Sequence, residues 1–146
     1  MTKVHATVRT KQHAPYQENA PQKKAIYQAT VKDNEGRTAI YIGSTETTFK
    51  TRYNNHKKSF KHEQYKTETT LSKHLWDKKI NRSPNISWKF LKTCKTYEIG
   101  QKTCDLCLSE KFFIIKNFKD PNLINKRTDI ANKCTHKRRH TFRPTT

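Results

Sequence analysis

Side chains able to do chemistry cluster early in the sequence. Tyr27 and Tyr41 stand in two apolar runs, Ala25-Ile26-Tyr27 and Tyr41-Ile42-Gly43, with Arg52 and His56 close behind. Arg52 and His56 are four residues apart, so on a helix they share one face. A guanidinium suits neutralisation of a phosphate through paired hydrogen bonds. Phenols titrate near ~10, too high for a free base at neutral pH. A nearby cation, Arg52 or a metal ion, lowers that value. The same residues also have plainer readings: tyrosines packed within a sheet, and a surface arginine in a salt bridge.

Later in the chain, Glu110 is the one acidic residue of its segment after Asp105 and sits among apolar neighbours. A carboxylate there is costly unless it binds a cation, and oxygen ligation with open positions suits Mg²⁺ or Mn²⁺. The alternative is an exposed carboxylate paired with Lys111 or Lys116. Cys104-x-x-Cys107 and Cys134-x-His136 are two ligand pairs with a spacer, as a tetrahedral Zn²⁺ site requires. Cys94 or His140 could replace one of them. Four protein ligands leave no position for substrate, so this zinc would be structural; alternatively Cys107 is a buried core thiol. His5, His13, His62 and His74 form no cluster.

The elements that must position these groups follow from patterning. Two β-forming runs flank Asp33-Asn34-Glu35-Gly36-Arg37, which predicts a hairpin with strands over 25–32 and 38–43. Thr47 or Thr48 can cap a helix running to about Phe60. A polar break over 63–67 precedes a second helix, with Leu71, Leu75 and Trp76 as its buried stripe. The alternation from Ile86 to Leu91 predicts a third strand. Residues 106–118 predict a long helix, apolar nearly all round at Phe112, Phe113, Ile114 and Ile115 and therefore central to the core. Asp120-Pro121-Asn122 stops it, and 129–133 predicts a short helix.

Ala25-Ile26-Tyr27 and Tyr41-Ile42-Gly43 resemble the paired motifs of the GIY-YIG nucleases, with Ala25 in place of the usual Gly. Arg52, His56, Glu110 and Asn125 fall where that family places its other active-site residues, so the resemblance spans about residues 25–130. The stretches around Cys104–Lys111 and Leu123–Arg127 are similar to the endonuclease domains of Penelope-like retroelements. The cysteine pair those domains often carry between the two motifs is absent here. The resemblance implies an α/β (α+β) fold, a small three-stranded antiparallel sheet flanked by helices. It also implies a metal-dependent DNA endonuclease that hydrolyses phosphodiester bonds, in a role such as target-site cleavage. Tyr27 would be the base, His56 would take its proton, Tyr41 would assist, Arg52 would neutralise the phosphoryl charge and Glu110 would bind the metal. Asn125 would bond a DNA phosphate, hold the loop near Glu110, or simply cap that loop.

Composition limits the alternatives. With 31 Lys+Arg against 12 Asp+Glu the chain carries a net charge of +19. Such an excess repels itself unless an anion is near, so it favours a nucleic-acid partner over a merely soluble basic protein. Lys50, Lys57, Lys58, Lys61, Arg127, Arg138 and Arg139 are the candidate phosphate contacts. No amphipathic stretch with a broad apolar face suggests a membrane partner, and no run approaches a transmembrane length. The start has no apolar signal core, which predicts an intracellular protein, nuclear in a eukaryote, whose cysteines are reduced or metal-bound. The organisation expected is a basic arm over 1–24, a nuclease-like domain over 25–136 and a basic tail over 137–146. A non-catalytic, zinc-stabilised nucleic-acid-binding module is the rival reading; the complete set of site residues argues against it.

Overall fold

β-Forming residues in antiparallel register build the centre of the molecule. A computed structural model of the chain describes residues 24–80, 85–131 and Cys134. Strands β1 (Ala25–Lys32), β2 (Thr38–Thr45) and β3 (Ile86–Thr93) form one antiparallel sheet in the order β2-β1-β3. The turn between β1 and β2 is fixed by Asp33, whose Oδ1 accepts from the amides of Glu35 (2.9 Å) and Arg37 (2.8 Å). Gly36 supplies the left-handed residue at φ 84°. The helices are α1 (Phe49–Lys61), α2 (Thr70–Asp77), α3 (Asp105–Lys116) and α4 (Arg127–Ala131), with a 3₁₀ turn at Glu63–Tyr65 inside the expected polar break. Thr48 caps α1, and Thr69 with Ser72 forms a reciprocal capping box on α2. The architecture is the mixed α and β fold expected, a three-stranded antiparallel sheet flanked by helices.

Both faces of the sheet are buried, so strand side chains feed two cores in alternation. Tyr27, Ala29 and Val31 of β1 join Ala39, Tyr41, Phe49, Phe60, Leu71, Leu75, Ile86 and Trp88 under α1 and α2. Ile26 and Ile42 face the other way, onto Leu106 and Ile114 of α3 and onto Cys94, Tyr97 and Cys104. Phe49 is the keystone of the first core. It lies edge-on to Tyr27 at 5.3 Å, Trp88 at 5.3 Å and Phe90 at 4.9 Å. Each such aromatic pair contributes about 0.5–1.5 kcal/mol beyond burial.

Two irregularities matter for the site. β3 carries a bulge opposite β1: Ile26 pairs with Lys92 but Tyr27 pairs with Phe90, which leaves Leu91 extra. Phe90 then packs in the first core and Leu91 in the second. The outer edge of β2 is covered by the chain after α3. Ile40 donates to Asn122 O (2.8 Å) and accepts from the Ile124 amide (2.9 Å), a short parallel bridge.

Helix α3 departs from expectation. Ile114 is fully buried, but Leu108, Phe112 and Ile115 are each more than half exposed. A helix lying on one face of a sheet buries only the stripe against it, so the apolar residues on its far side face solvent. Among the described residues no helix is long and apolar enough to cross a membrane. Residues 1–23 of the expected arm over 1–24, the candidate ligand His136, and the expected tail over 137–146 with Arg138, Arg139 and His140, lie outside the described residues. Lys24, given to the arm, belongs to the fold: its carbonyl accepts from the Cys94 amide at 2.8 Å.

Candidate active site and cysteine cluster

β1 and α1 bring Tyr27, Arg52 and His56 together. The Tyr27 hydroxyl and His56 Nε2 share a 2.6 Å hydrogen bond, and Arg52 Nε donates to the same phenol oxygen at 3.1 Å. Tyr27 is wholly buried and His56 nearly so, with His56 stacked on Phe60 and close to Trp88. Burial, helped by the Arg52 charge, lowers the His56 pKa to about 3. The imidazole is therefore neutral at physiological pH, and with Nδ1 protonated its Nε2 can accept the phenol proton. Burial raises the Tyr27 pKa, and Arg52 partly offsets that through its charge and hydrogen bond. Tyr41, across the β1–β2 ladder and 6.5 Å from Tyr27 between ring centroids, is raised well above the ordinary phenol range by burial and by Tyr27.

Gly43 makes this arrangement possible. It pairs with Tyr27 across the ladder, and a Cβ there would come within 2.5 Å of the Tyr27 hydroxyl oxygen and 2.9 Å of the Tyr41 ring.

Glu110, on α3, lies near enough for its charge to help raise the pKa values of Tyr27, Tyr41 and Arg52. Its Oε1 accepts from Ser44 Oγ at 2.9 Å. Burial raises its pKa, and Ser44 and then Arg52 oppose that shift. Among the described residues Glu110 makes no salt bridge, so the alternative pairing with Lys111 or Lys116 is not formed. A largely buried carboxylate without an ion pair, one oxygen fixed by a hydroxyl, fits a divalent cation with oxygen ligands. Sequence reasoning missed Ser44; a hydroxyl directly after Gly43 was the available signal.

The Asn125 side chain behaves as an added peptide group. Its Oδ1 accepts from the Ile42 amide (2.8 Å) and its Nδ2 donates to Ile42 O (3.0 Å), continuing the bridge begun at Ile40. Nδ2 also donates to Asp129 Oδ2 (3.1 Å), which accepts from the Lys126 amide (2.9 Å) and Thr70 Oγ1 (3.2 Å). Of the roles weighed from sequence, this geometry supports holding the loop, with both amide atoms committed to protein partners. Asp129 was not anticipated, because its partners are distant in sequence. Lys50, Lys57, Lys58, Lys61 and Arg127 are all exposed, as phosphate contacts must be. Lys58 lies 4.4 Å from the Tyr65 ring centroid and Lys57 5.5 Å from that of Tyr53.

No family model, no curated protein and no solved structure matches the chain. A functional reading therefore stands on the arrangement of the residues themselves.

The cysteines converge as their spacing predicts. The sulfurs of Cys104, Cys107 and Cys134 lie within 4.8 Å of one another and could hold a metal ion. Thiolates on a tetrahedral Zn²⁺ sit about 3.8 Å apart, given a Zn–S length of about 2.3 Å, so small side-chain shifts suffice. None of the four cysteines forms a disulfide, and the buried Cys94 is not part of the trio. Burial, together with hydrogen bonds to Cys134 and Cys104, pushes the Cys107 thiol up.

Proposed function

We propose that this chain is a metal-dependent DNA endonuclease of the GIY-YIG kind, hydrolysing a phosphodiester bond at the site formed by Tyr27, Tyr41, Arg52, His56 and Glu110. The observation that carries the reading is the Tyr27 hydroxyl, bonded at once to a neutral His56 (2.6 Å) and to Arg52 (3.1 Å), beside a carboxylate with no salt bridge. A generic sheet tyrosine needs neither partner.

Tyr27 is the phenol whose proton has an acceptor, so it takes the base role. As the attacking water gives its proton to the Tyr27 oxygen, the phenol proton moves along the 2.6 Å bond to His56 Nε2, and the negative charge that develops on the phosphoryl group offsets the burial that keeps the resting imidazole neutral. Arg52 stabilises the phenolate through Nε–H, and its two terminal nitrogens remain to neutralise the phosphoryl oxygens. Tyr41 helps to orient the water. Glu110, steadied by Ser44, would hold Mg²⁺ or Mn²⁺, which when bound would supply Lewis-acid stabilisation of the phosphoryl charge. Lys50, Lys57, Lys58, Lys61 and Arg127 bind the DNA backbone without reading sequence. Cys104, Cys107 and Cys134, with His136 as the fourth ligand, would hold a structural Zn²⁺, and that tie at the start of α3 would steady Glu110. Opening a target strand for a retroelement is the role the narrower resemblance suggests.

Supercoiled plasmid incubated with the purified protein, with and without Mg²⁺, tests the reading. Nicked or linear product is expected only with the metal, and only when Glu110 is intact. DNA binding without cleavage in either buffer would leave the non-catalytic binding module as the better account.

A further inference from the structure

One apolar surface is used by neither the site nor the cysteine cluster. Leu108, Phe112 and Ile115 are 58%, 57% and 56% exposed, and Phe118, just beyond the helix, is 38% exposed. At spacings of four and seven residues the first three form one stripe along α3. Contiguous exposed apolar residues on a small, highly charged protein mark an interaction surface.

The charge around the stripe selects its occupant. Lys111 and Lys116 lie on its two flanks and Lys119 at its end, with Lys116 Nζ 5.8 Å from the Phe112 ring centroid. The nearby acidic groups are engaged elsewhere. Asp105 is held by Lys92 at 3.0 Å and the Lys95 amide at 2.9 Å, and Glu110 faces Ser44 on the sheet side. A second copy would set lysine borders against lysine borders on two chains of net charge +19. The chain's own ends have the same sign: Lys3, Arg9, Lys11 and Lys23 against Glu18 at the start, and Lys137, Arg138, Arg139 and Arg143 with no acid at the finish. Nucleic acid would satisfy the lysines but not Leu108 and Ile115, which offer bases no aromatic face.

We propose that this face of α3 docks an acidic amphipathic helix from a protein partner, with apolar residues against Leu108, Phe112 and Ile115 and carboxylates against Lys111, Lys116 and Lys119. This is the helix-to-face form of recognition, in which apolar anchors give affinity and flanking charges give register.

The probe is a labelled synthetic helix of about 20 residues with leucines at matching spacing and glutamates on both flanks. Its control is a peptide of the same composition with the leucines spread around the helix. With the full chain at about 0.15 M salt, the patterned peptide should bind at least about tenfold more tightly than the control. Phe112→Gln and Ile115→Gln, both exposed and helix-compatible, should abolish that preference while leaving the melting temperature and single-stranded DNA affinity unchanged. Equal binding of both peptides, or binding indifferent to Phe112→Gln, would overturn the proposal. So would single-stranded DNA affinity that falls with Phe112→Gln, since the face would then bind nucleic acid. Sedimentation showing a dimer that Phe112→Gln dissociates would overturn it in favour of self-association.

Discussion

Gly43 and Tyr27 are partners across the β1–β2 ladder, and the glycine has no room for even a methyl group. A Cβ at Gly43 would lie 2.5 Å from the Tyr27 hydroxyl oxygen, 2.7 Å from Cζ and 2.9 Å from the Tyr41 ring. The φ of Gly43 is not positive, so the requirement is steric rather than conformational. Gly43→Ala should cost about 1–3 kcal/mol, as overpacking does, and should displace the phenol from His56 and Arg52. Denaturant titration measures the cost. Tyr27→Phe in the same chain removes the closest clash but not the contact with Cζ, so a double-mutant cycle should show partial relief. Strict additivity would mean that the two residues do not press on each other.

Glu110 links folding stability to pH. Its pKa is raised chiefly by burial. A folded-state pKa above the unfolded value means that Glu110 favours folding below the unfolded pKa and loses that contribution as pH rises through the folded pKa. Glu110→Gln preserves an acceptor for Ser44 and removes the charge. In metal-free buffer the variant should be more stable than the parent at neutral pH, with the gap narrowing towards pH 4. Cleavage should be lost while DNA affinity holds or rises, because one repelling charge is gone. A variant that cuts at the parental rate would remove Glu110 from the mechanism, and weaker DNA binding without metal would make its role structural.

His56 titrates in the opposite sense. Its pKa of about 3, against an ordinary 6.5, means that its contribution is complete above the unfolded value and is lost as pH falls from about 6.5 towards 3. The slope cannot exceed about 1.4 kcal/mol per pH unit for one proton. His56→Gln should be less stable at pH 7, because Tyr27 loses the imidazole, but its stability should vary less over that window. Urea denaturation at stepped pH reads both effects. A parental profile that is flat between pH 6.5 and 4 would show that the imidazole is not held neutral by its surroundings.

Strands, caps and the Arg52–His56 spacing were legible in the sequence because each depends on neighbours a few residues away. Thr48 caps α1 as its side chain predicts, and Asp33 and Gly36 close the hairpin. What could not be read depends on contacts distant in sequence. Asn125 continues the β2 ladder across 83 residues, Ser44 meets Glu110 across 66, and Thr70 meets Asp129 across 59. Nothing in the local pattern around Phe112 and Ile115 distinguishes a helix enclosed on every side from one lying on a sheet. Composition suggested burial, and only the position of α3 against β1 and β2 reveals the exposed face.

The cysteine trio predicts a measurable metal. Protein purified without chelator should carry about one zinc per chain, and Cys104→Ser, Cys107→Ser or Cys134→Ser should each lose it and lower the melting temperature. Cys94→Ser should retain the metal, since Cys94 lies outside the trio. Elemental analysis beside thermal melts checks both. Chelated protein that melts at the parental temperature would rule out a structural role.

Asn125 gives the sharpest separation between holding the loop and touching DNA. The residue is 8% exposed, with Oδ1 accepting from the Ile42 amide and Nδ2 donating to both Ile42 O and Asp129. Asn125→Asp keeps the volume and the acceptor but deletes the donor, and it places a second carboxylate against Asp129. Ile42 O is left unsatisfied, a loss of about 1–3 kcal/mol, and like-charge repulsion adds to it. The Asp variant should therefore be less stable than the parent at neutral pH and should recover part of the loss in acid, where one carboxyl can protonate and donate to the other. Asn125→Ala lacks the second carboxylate and should show no such recovery. If Asn125 worked instead through a DNA phosphate, both variants would melt like the parent and lose DNA affinity. The paired melts at pH 7 and pH 4.5, read beside a binding titration, therefore give opposite results for the two roles.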